Sequence, residues 1–341
     1  MGNKKLLIID CDPGLDDAMA LVMAGHGHKT GTVRILAITC VQGNTSVDNS
    51  SRNACRVLDA LGINDVPVFK GAREALVMPY GWGHEPFHGP NGFGGIEFPT
   101  EPDTTRIHEE HGVSAITRLA DEYPGTPKLP RYFLHIREIS LVLLGPVTNA
   151  ALAMRMDHEF GSKLKDIYVM GGNFEEIGKT TSMEGPEFNF AADPDAAFVL
   201  FSEAKCPLYI FSWELCEMRC QVPIEWRRDL LSDIDTPHAR LQELIEGPSL
   251  KTYEFPEYLL CDQLAMAGAL DPATILESTA GFSSINTTDK KQRGRTMVDL
   301  DITAKTRPNV TFVTRMDMAE IEGMIKKAYA FVPEHGKNLN I

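Results

Sequence analysis

Four aspartates near the start of the chain have the types and spacing that could do chemistry: Asp10, Asp12, Asp16 and Asp17, in the stretch LLIIDCDPGLDDAM. Carboxylates this close repel one another unless a cation neutralises them, and ligation by oxygen favours calcium or magnesium over zinc. Capping a turn and complementing a helix dipole would occupy one or two of these acids and leave the others uncompensated. The cluster therefore predicts a site for a divalent cation.

The elements around the cluster predict where it lies. Leu6 to Ile9 is a short apolar run typical of a buried parallel strand, and a helix pattern starts at Asp16. Pro13 and Gly14 form the turn between them, and Gly14 lets the backbone approach a ligand closely. The acids would therefore lie at the carboxyl end of a strand, where open α/β sheets bind ligands.

Strand and helix patterns alternate along most of the remaining chain, which predicts an α/β fold with a mostly parallel sheet and helices on both faces. No internal repeat or clear linker interrupts residues 1–341, so we expect a single domain. The expected strands are 33–41, 66–69, 139–144, 167–170, 206–212, 282–286, 298–303 and 310–314. The expected helices are 47–61, 113–122, 148–154, 193–203, 223–231, 238–245, 261–270 and 318–331.

The overall composition argues against several classes of protein. A formal net charge of −14 over 341 residues disfavours electrostatic binding to nucleic acid or to a membrane surface. The sequence has no apolar run long enough to span a membrane and no cleavable signal pattern at its start. Its seven cysteines have no CxxC spacing, which suits reduced thiols in the cytosol. We therefore expect a cytoplasmic protein.

Polar and small residues follow the ends of other expected strands. Asn44 follows the second strand, Gly145 follows a later one, and Gly171-Gly172 follows the next. If these strands share one parallel sheet, all three ends open on the same edge as Asp12.

Acids and amides further along the chain are candidates for the same site. Glu187 and Asn189 stand at i and i+2, so in extended backbone both would point the same way and could hold sugar hydroxyls. Such a pair is also common on a polar surface. Asp262 starts an apolar helix and could be a plain helix N-terminal acid or a further oxygen ligand.

Three aromatic or irregular segments have no settled role. The loop from Met78 to Pro99 is long and aromatic, which suits a lid over a flat ligand. Tyr253, Phe255 and Tyr258 could line a binding pocket or belong to the core. The insertion from Tyr123 to Arg137 has no function that the residues suggest.

Several motifs resemble those of the inosine-uridine-preferring nucleoside hydrolases. IIDCDPGLDDA is similar to the N-terminal signature of that family, and HGPNGFGG, LLGPVTN, VMGG, and EFN followed by DPDAA resemble later motifs in family order. The resemblance implies a Rossmann-like sheet, a tightly bound calcium ion, and hydrolysis of the bond between nucleobase and ribose in ribonucleosides. It also implies a homodimer or homotetramer.

The resemblance further implies a role for individual residues. The calcium ligands would be Asp12, Asp17, the backbone carbonyl of Leu144, and Asp262. The residues holding the ribose would be Asp16, Asn44, Glu187 and Asn189, with Met170 beside the sugar. Asp12 would also draw a proton from a water on the calcium ion, and nearby carboxylates would stabilise the positive charge that develops on the ribosyl group.

Two positions depart from the family pattern. Many members have His where this chain has Cys261, and a thiol with a reference pKa of about 8.5 is a poor acid near neutral pH. Cys261 resembles a cysteine-bearing subgroup, and the departing base could instead be protonated by His88 or leave with little help. Lys179 replaces an Asn that contacts the ribose 5′ end; it could be exposed, favour a 5′-phosphate or impair ribose binding.

Two other functions compete with this interpretation. An aspartate-nucleophile phosphatase also begins with a strand that ends in D-x-D and binds magnesium. There, Thr or Val typically follows two positions after the second Asp, whereas this chain has Gly14. The departures at Cys261 and Lys179 would also fit a catalytically impaired nucleoside-binding protein.

Overall fold

A ten-stranded sheet lies at the centre of the computed structural model, which describes residues 4–78, 86–123, 127–129, 132–135, 138–174, 185–252, 257–301 and 307–332. The strands, in chain order, are β1 (Lys5–Cys11), β2 (Val33–Cys40), β3 (Val68–Lys70), β4 (Ile107–His108), β5 (Pro127–Leu129), β6 (Tyr132–His135), β7 (Ile139–Leu143), β8 (Asp166–Met170), β9 (Leu208–Phe211), β10 (Val222–Pro223), β11 (Glu257–Tyr258), β12 (Ile275–Ile285), β13 (Thr296–Asp299) and β14 (Val310–Met316).

Twelve α-helices lie within the same described ranges. They are α1 (Leu15–Thr30), α2 (Val47–Ala60), α3 (Gly112–Glu122), α4 (Thr148–Met156), α5 (Phe160–Lys163), α6 (Phe188–Ala192), α7 (Pro194–Glu203), α8 (Trp213–Arg219), α9 (Ile224–Ser232), α10 (Pro237–Thr252), α11 (Asp262–Leu270) and α12 (Met318–Ala330). No helix in these ranges is long and apolar enough to cross a bilayer.

The large sheet has the strand order β13-β12-β14-β9-β8-β7-β1-β2-β3-β4. Every pair from β14 through β4 is parallel, whereas β12 runs antiparallel to both of its neighbours. The predicted parallel sheet is therefore confirmed, with an antiparallel extension at one edge. Strand β1 lies in the middle, between β2 and β7, and this places the aspartate cluster at the centre of the sheet's carboxyl edge.

Apolar side chains cover both faces of the sheet, as successive residues of a strand point to opposite sides. Leu7 and Ile9 of β1 belong to a cluster that includes residues of α1, α2, α11 and α12. Leu6 and Ile8 belong to a second cluster with residues of α3, α4 and α7. The prediction of helices on both faces is thus confirmed, and β1 is buried from both sides.

Two predicted boundaries near the antiparallel edge were inaccurate. Strand β12 begins at Ile275 rather than residue 282, because one of its faces is exposed and its first half has no continuous apolar run. Strand β13 ends at Asp299, four residues before the predicted end at residue 303. The insertion contains the antiparallel pair of β5 and β6.

Candidate active site and metal centre

The carboxylate of Asp12 lies where three strands end. Its Oδ2 accepts a hydrogen bond of 2.6 Å from the backbone N–H of Asn44, which follows β2. A Cβ atom at Gly43 or Gly145 would overlap the Asp12 carboxylate, so both strand ends need glycine to approach it. Its Oδ1 is buried and has no hydrogen-bond partner in the described part of the chain. The Oδ1 atom of Asp12 thus faces the space between these strand ends as a hydrogen-bond acceptor.

Asp17 fixes the turn between β1 and α1. Its carboxylate accepts hydrogen bonds from the backbone N–H groups of Asp12 at 3.2 Å and Gly14 at 2.9 Å, and from Nδ2 of Asn44 at 3.2 Å. Burial and then the charge of Asp16 raise the pKa of Asp17 to about 7, against the lowering effect of the hydrogen bonds from Gly14 and Asp12. The arrangement orients an acid that is costly to ionise without a cation.

Two of the acids predicted as metal ligands, Asp17 and Asp262, come together with Asp16. Carboxylate oxygens of Asp16, Asp17 and Asp262 lie within 4.8 Å of one another. Asp262 is the first residue of α11, which packs against α1, and its side chain is buried. Burial, and then repulsion from Asp16, Asp17 and Asp12, raises the pKa of Asp262 well above its usual range.

These residues fit a hard divalent cation. They offer oxygen ligands, their charges are buried or half-buried and repel one another, and Asp12 Oδ1 has no donor among the residues that the structure describes. Asp12 itself is outside the group of three, although its backbone N–H contacts Asp17. The acidic cluster could therefore hold a metal ion, with Asp16 closer to it than the sequence implied.

Glu187 and Asn189 lie beside the same strand ends, but in a different conformation from the predicted extended one. Glu187 is the N-cap of α6, and its carboxylate accepts from the backbone N–H groups of Gly172 at 2.7 Å, Asn189 at 2.8 Å and Phe190 at 3.1 Å. The extended prediction was wrong because the capping carboxylate starts a helix at Phe188. Burial raises the pKa of Glu187 to about 7.

Asn189 connects two of the strand ends. Its Nδ2 donates to the carbonyl oxygens of Leu144 at 2.8 Å and Met170 at 3.1 Å. The structure therefore brings Leu144, Met170 and Asn189 together. The Leu144 carbonyl, predicted as a metal ligand, accepts from this amide.

The chain matches the family model for inosine-uridine preferring nucleoside hydrolase over residues 7–322. The chain belongs to this family. A protein of Crithidia fasciculata named inosine-uridine preferring nucleoside hydrolase is 30% identical over 329 residues, which are 95% of this chain and 97% of that protein. Uridine nucleosidase 1 of Arabidopsis thaliana is 36% identical over 202 residues, 59% of this chain and 54% of that protein.

A solved structure shows the same fold. An inosine-guanosine nucleoside hydrolase superposes with a TM-score of 0.86 at 25% identity, over 97% of this chain and 100% of that one. The family inferred from the motifs is thereby confirmed, as are the fold and the enzyme class, a hydrolase of N-glycosidic bonds. Membership also disfavours the phosphatase alternative.

In this nucleoside hydrolase, His88 lies against the first turn of α1. The backbone N–H of Leu15 donates to His88 Nδ1 at 3.0 Å, and Asp16 Oδ1 lies 3.9 Å from the same nitrogen. A ring nitrogen that accepts from an N–H carries no proton, so the neutral ring has its proton on Nε2. His88 is buried beside the acidic cluster, with Nε2–H as its donor.

Cys261 immediately precedes α11 and contacts another thiol. It hydrogen-bonds Cys216, whose Sγ donates to the carbonyl of Ser212 at 3.4 Å, so Cys261 is the donor of the pair. This hydrogen bond and burial hold the pKa of the Cys261 thiol well above its usual range. A thiol in this setting is a weaker acid still.

Other predicted residues are accounted for as follows. Asp10, one of the four clustered aspartates, accepts hydrogen bonds from Thr39 Oγ1 and Asn149 Nδ2 and does not belong to the group of three. Tyr258 donates to Glu246 Oε1 at 2.6 Å. Lys179, Tyr253, Phe255 and residues 79–85 of the expected lid lie outside the described residues.

The sequence analysis missed the residues that hold the glycine-rich loop HGPNGFGG, residues 88–95. Nδ2 of Asn53 donates to the carbonyls of Pro13 and Asn91, each at 2.9 Å, and Thr45 Oγ1 donates to Pro90 O at 3.1 Å. Asn53 therefore links α2 to the Pro13-Gly14 turn and to the loop that contains His88. The signal in the sequence that could have indicated Asn53 is an asparagine within an amphipathic helix pattern.

Proposed function

We propose that this chain hydrolyses purine and pyrimidine ribonucleosides to free base and ribose with the help of Ca²⁺. The convergence of Asp16, Asp17 and Asp262 on one point, at the strand ends of a nucleoside hydrolase, supports the proposal. The substrates named for the two relatives, inosine with uridine and uridine alone, lead us to propose both base classes.

The proposed calcium site uses Asp12, Asp17, Asp262 and the carbonyl of Leu144. Asp16 lies close enough to share the ion or to hold a ribose hydroxyl beside it. When bound, Ca²⁺ would supply positive charge that polarises a water and the ribose diol. Hard oxygen ligands and a site built from flexible carboxylates favour Ca²⁺ over softer metals.

Asp12 is the proposed general base. Its Oδ1 is a buried acceptor that lacks a hydrogen-bond partner in the described ranges and lies beside the acidic cluster, so it can take a proton from the attacking water. Its Oδ2 is held by the Asn44 N–H, which fixes the direction of Oδ1. Burial and repulsion raise the pKa of Asp12, and a base with a raised pKa accepts a proton more readily near neutral pH.

The remaining residues would bind the sugar and stabilise charge. Asp16, Asn44, Glu187 and Asn189 are the proposed contacts for the ribose hydroxyls, with Met170 beside the ring. As the bond to the base breaks, the ribosyl group becomes an oxocarbenium-like cation, and the buried carboxylates around it lower the barrier.

His88 is the proposed acid for the departing base. Its neutral ring carries the proton on Nε2, as the Leu15 N–H occupies Nδ1. Cys261 is disfavoured in this role because its thiol donates to Cys216 and its pKa is raised. Protonation by His88 would matter most for purines, whose N7 can accept a proton as the bond to ribose breaks.

We further propose one catalytic domain across the chain, a homodimeric or homotetrameric assembly, and a cytoplasmic location. All seven cysteines are free thiols, which suits a reducing compartment. The net charge of −14 supports the absence of nucleic-acid partners.

A reducing-sugar assay with inosine, uridine and adenosine, beside a phosphate-release assay with a phosphate monoester, tests the function. We expect ribose release that EDTA abolishes and that Ca²⁺ restores better than Mg²⁺. Binding of nucleoside without ribose release would instead support the impaired binding protein, and phosphate release would support the phosphatase.

A further inference from the structure

Asn173, directly after β8 and the two glycines, is a buried residue with every side-chain polar atom engaged. Its Oδ1 accepts from the backbone N–H of Glu187 at 3.0 Å, and its Nδ2 donates to Glu214 Oε1 at 3.1 Å. Its backbone N–H donates to Thr296 Oγ1 at 3.1 Å. One residue thus joins the end of β8 to α8, to β13 and to the start of α6.

Glu214 is an unusual partner for it. The side chain is 1% exposed, in the first turn of α8. Its Oε2 accepts from the backbone N–H of Phe174 at 2.8 Å, so both of these hydrogen bonds come from uncharged N–H donors. A buried carboxylate is costly unless hydrogen-bonded, and each bond to it is stronger than a neutral one.

These contacts hold Glu187 from two sides. Its backbone N–H is bound by Asn173 and its carboxylate is bound by the Gly172 N–H, so two residues directly after β8 fix both ends of Glu187. Glu187 in turn caps α6, and Asn189, in the first turn of α6, reaches the carbonyls of Leu144 and Met170. A displacement of Asn173 would therefore displace both Glu187 and Asn189.

We propose that Asn173 and Glu214 are positioning residues for the ribose-binding side of the active site. They act through Glu187 and Asn189 and touch no substrate themselves. This inference rests on the proposed function, because it requires that Glu187 and Asn189 contact the ribose. The acids of the proposed metal site lie elsewhere, on α1, on α11 and at the end of β1, and the network meets that site where Asn189 donates to the carbonyl of Leu144.

The hydrogen-bond pattern allows a swap that breaks and then restores the contact. Asn173→Asp keeps the acceptor for the Glu187 N–H but replaces the donor facing Glu214 with a second carboxylate. Adding Glu214→Gln provides an amide that donates to this new carboxylate, while the amide oxygen still accepts from the Phe174 N–H. The double variant therefore satisfies every hydrogen bond of this network. Its net charge equals that of the wild type, because Asn173→Asp adds one negative charge and Glu214→Gln removes one.

Steady-state kinetics on inosine and uridine test the proposal, with calcium affinity and Tm measured on each variant. We expect Asn173→Asp to lower kcat/KM at least tenfold, mainly through KM, with calcium affinity within about twofold of wild type. We expect Asn173→Asp with Glu214→Gln to return to within about threefold of the wild-type kcat/KM.

Asn309→Asp is the matched control for lost stability. Asn309 donates from Nδ2 to the carbonyls of Ser283 at 2.8 Å and Phe201 at 2.9 Å, on the antiparallel edge of the sheet. The variant Asn309→Asp should lower Tm with little change in KM. An unchanged KM in Asn173→Asp, or a double variant as impaired as that single one, would overturn the inference while leaving the proposed function intact. A wild-type chain that releases no ribose would overturn both.

Discussion

Asp12 and Asp10 are two residues apart, equally buried, and different in their hydrogen bonding. Each has one buried carboxylate oxygen with no hydrogen-bond partner in the described part of the chain, Oδ2 of Asp10 and Oδ1 of Asp12. Oδ1 of Asp10 is held by Thr39 and Asn149 within the sheet, whereas the backbone N–H of Asp12 contacts Asp17, one of the acids that could hold a metal. The sequence showed that the acids are clustered, but not which of them faces the cation. That distinction depends on Thr39 and Asn149, which lie on other elements.

This pair of residues supplies a matched test of the general base. Asp12→Asn should lower kcat about 10²–10⁴-fold, the usual contribution of general base catalysis, and should weaken calcium binding. Asp10→Asn, the same change at equal burial, should cost stability but keep kcat within a few-fold of wild type. The measurements are kcat with inosine and calcium affinity by titration; near-normal turnover in Asp12→Asn would remove the proposed base.

His88 can be tested by changing the leaving group. His88→Ala should lower kcat for inosine about 10²-fold, because the base would depart without the Nε2 proton. A riboside of 4-nitrophenol has a leaving group that needs no protonation, so its kcat should fall far less. If both substrates lost the same fraction of activity, His88 would act by supporting Leu15 and the first turn of α1 and not as an acid.

At the scale of elements, apolar runs and helix-start residues predicted most of the sheet and its helices. The errors occurred where tertiary contacts decide the conformation. Glu187 to Asn189 has the alternation of a strand, but Glu187 finds the N–H groups of Gly172, Asn189 and Phe190 and starts α6 instead. Strand β12 was missed in its first half because Glu277, Ser278 and Thr279 interrupt any apolar run there.

The position of α11 relative to α1 was also beyond the sequence. Asp262 alone could have been a helix N-terminal acid, and its alternative role as a ligand depended on which helix it meets. The packing of α11 on α1 brings two helix N-termini and their acids together. Both helix dipoles favour negative charge there, which partly offsets the repulsion among the acids.

At the scale of the whole molecule, the buried acids link stability to pH and to calcium. The pKa of Asp17 is raised from 3.8 to about 7, and those of Asp12 and Asp262 shift in the same direction. Between pH 3.8 and about 7, the folded chain without calcium therefore binds more protons than the unfolded chain. Its stability should therefore decrease as pH rises from about 4 through 7.

Calcium should reverse this trend because it binds the ionised carboxylates. Thermal unfolding in EDTA and in excess Ca²⁺, measured between about pH 5 and 8, should show a Tm difference that grows with pH. Asp17→Asn should reduce both the calcium-dependent gain and the fall in Tm without calcium. The fall should not vanish, since Asp10 and Glu187 also have pKa values raised to about 7 by burial. A Tm gain from calcium that is the same at pH 5 and pH 8 would mean that the ion does not bind these acids.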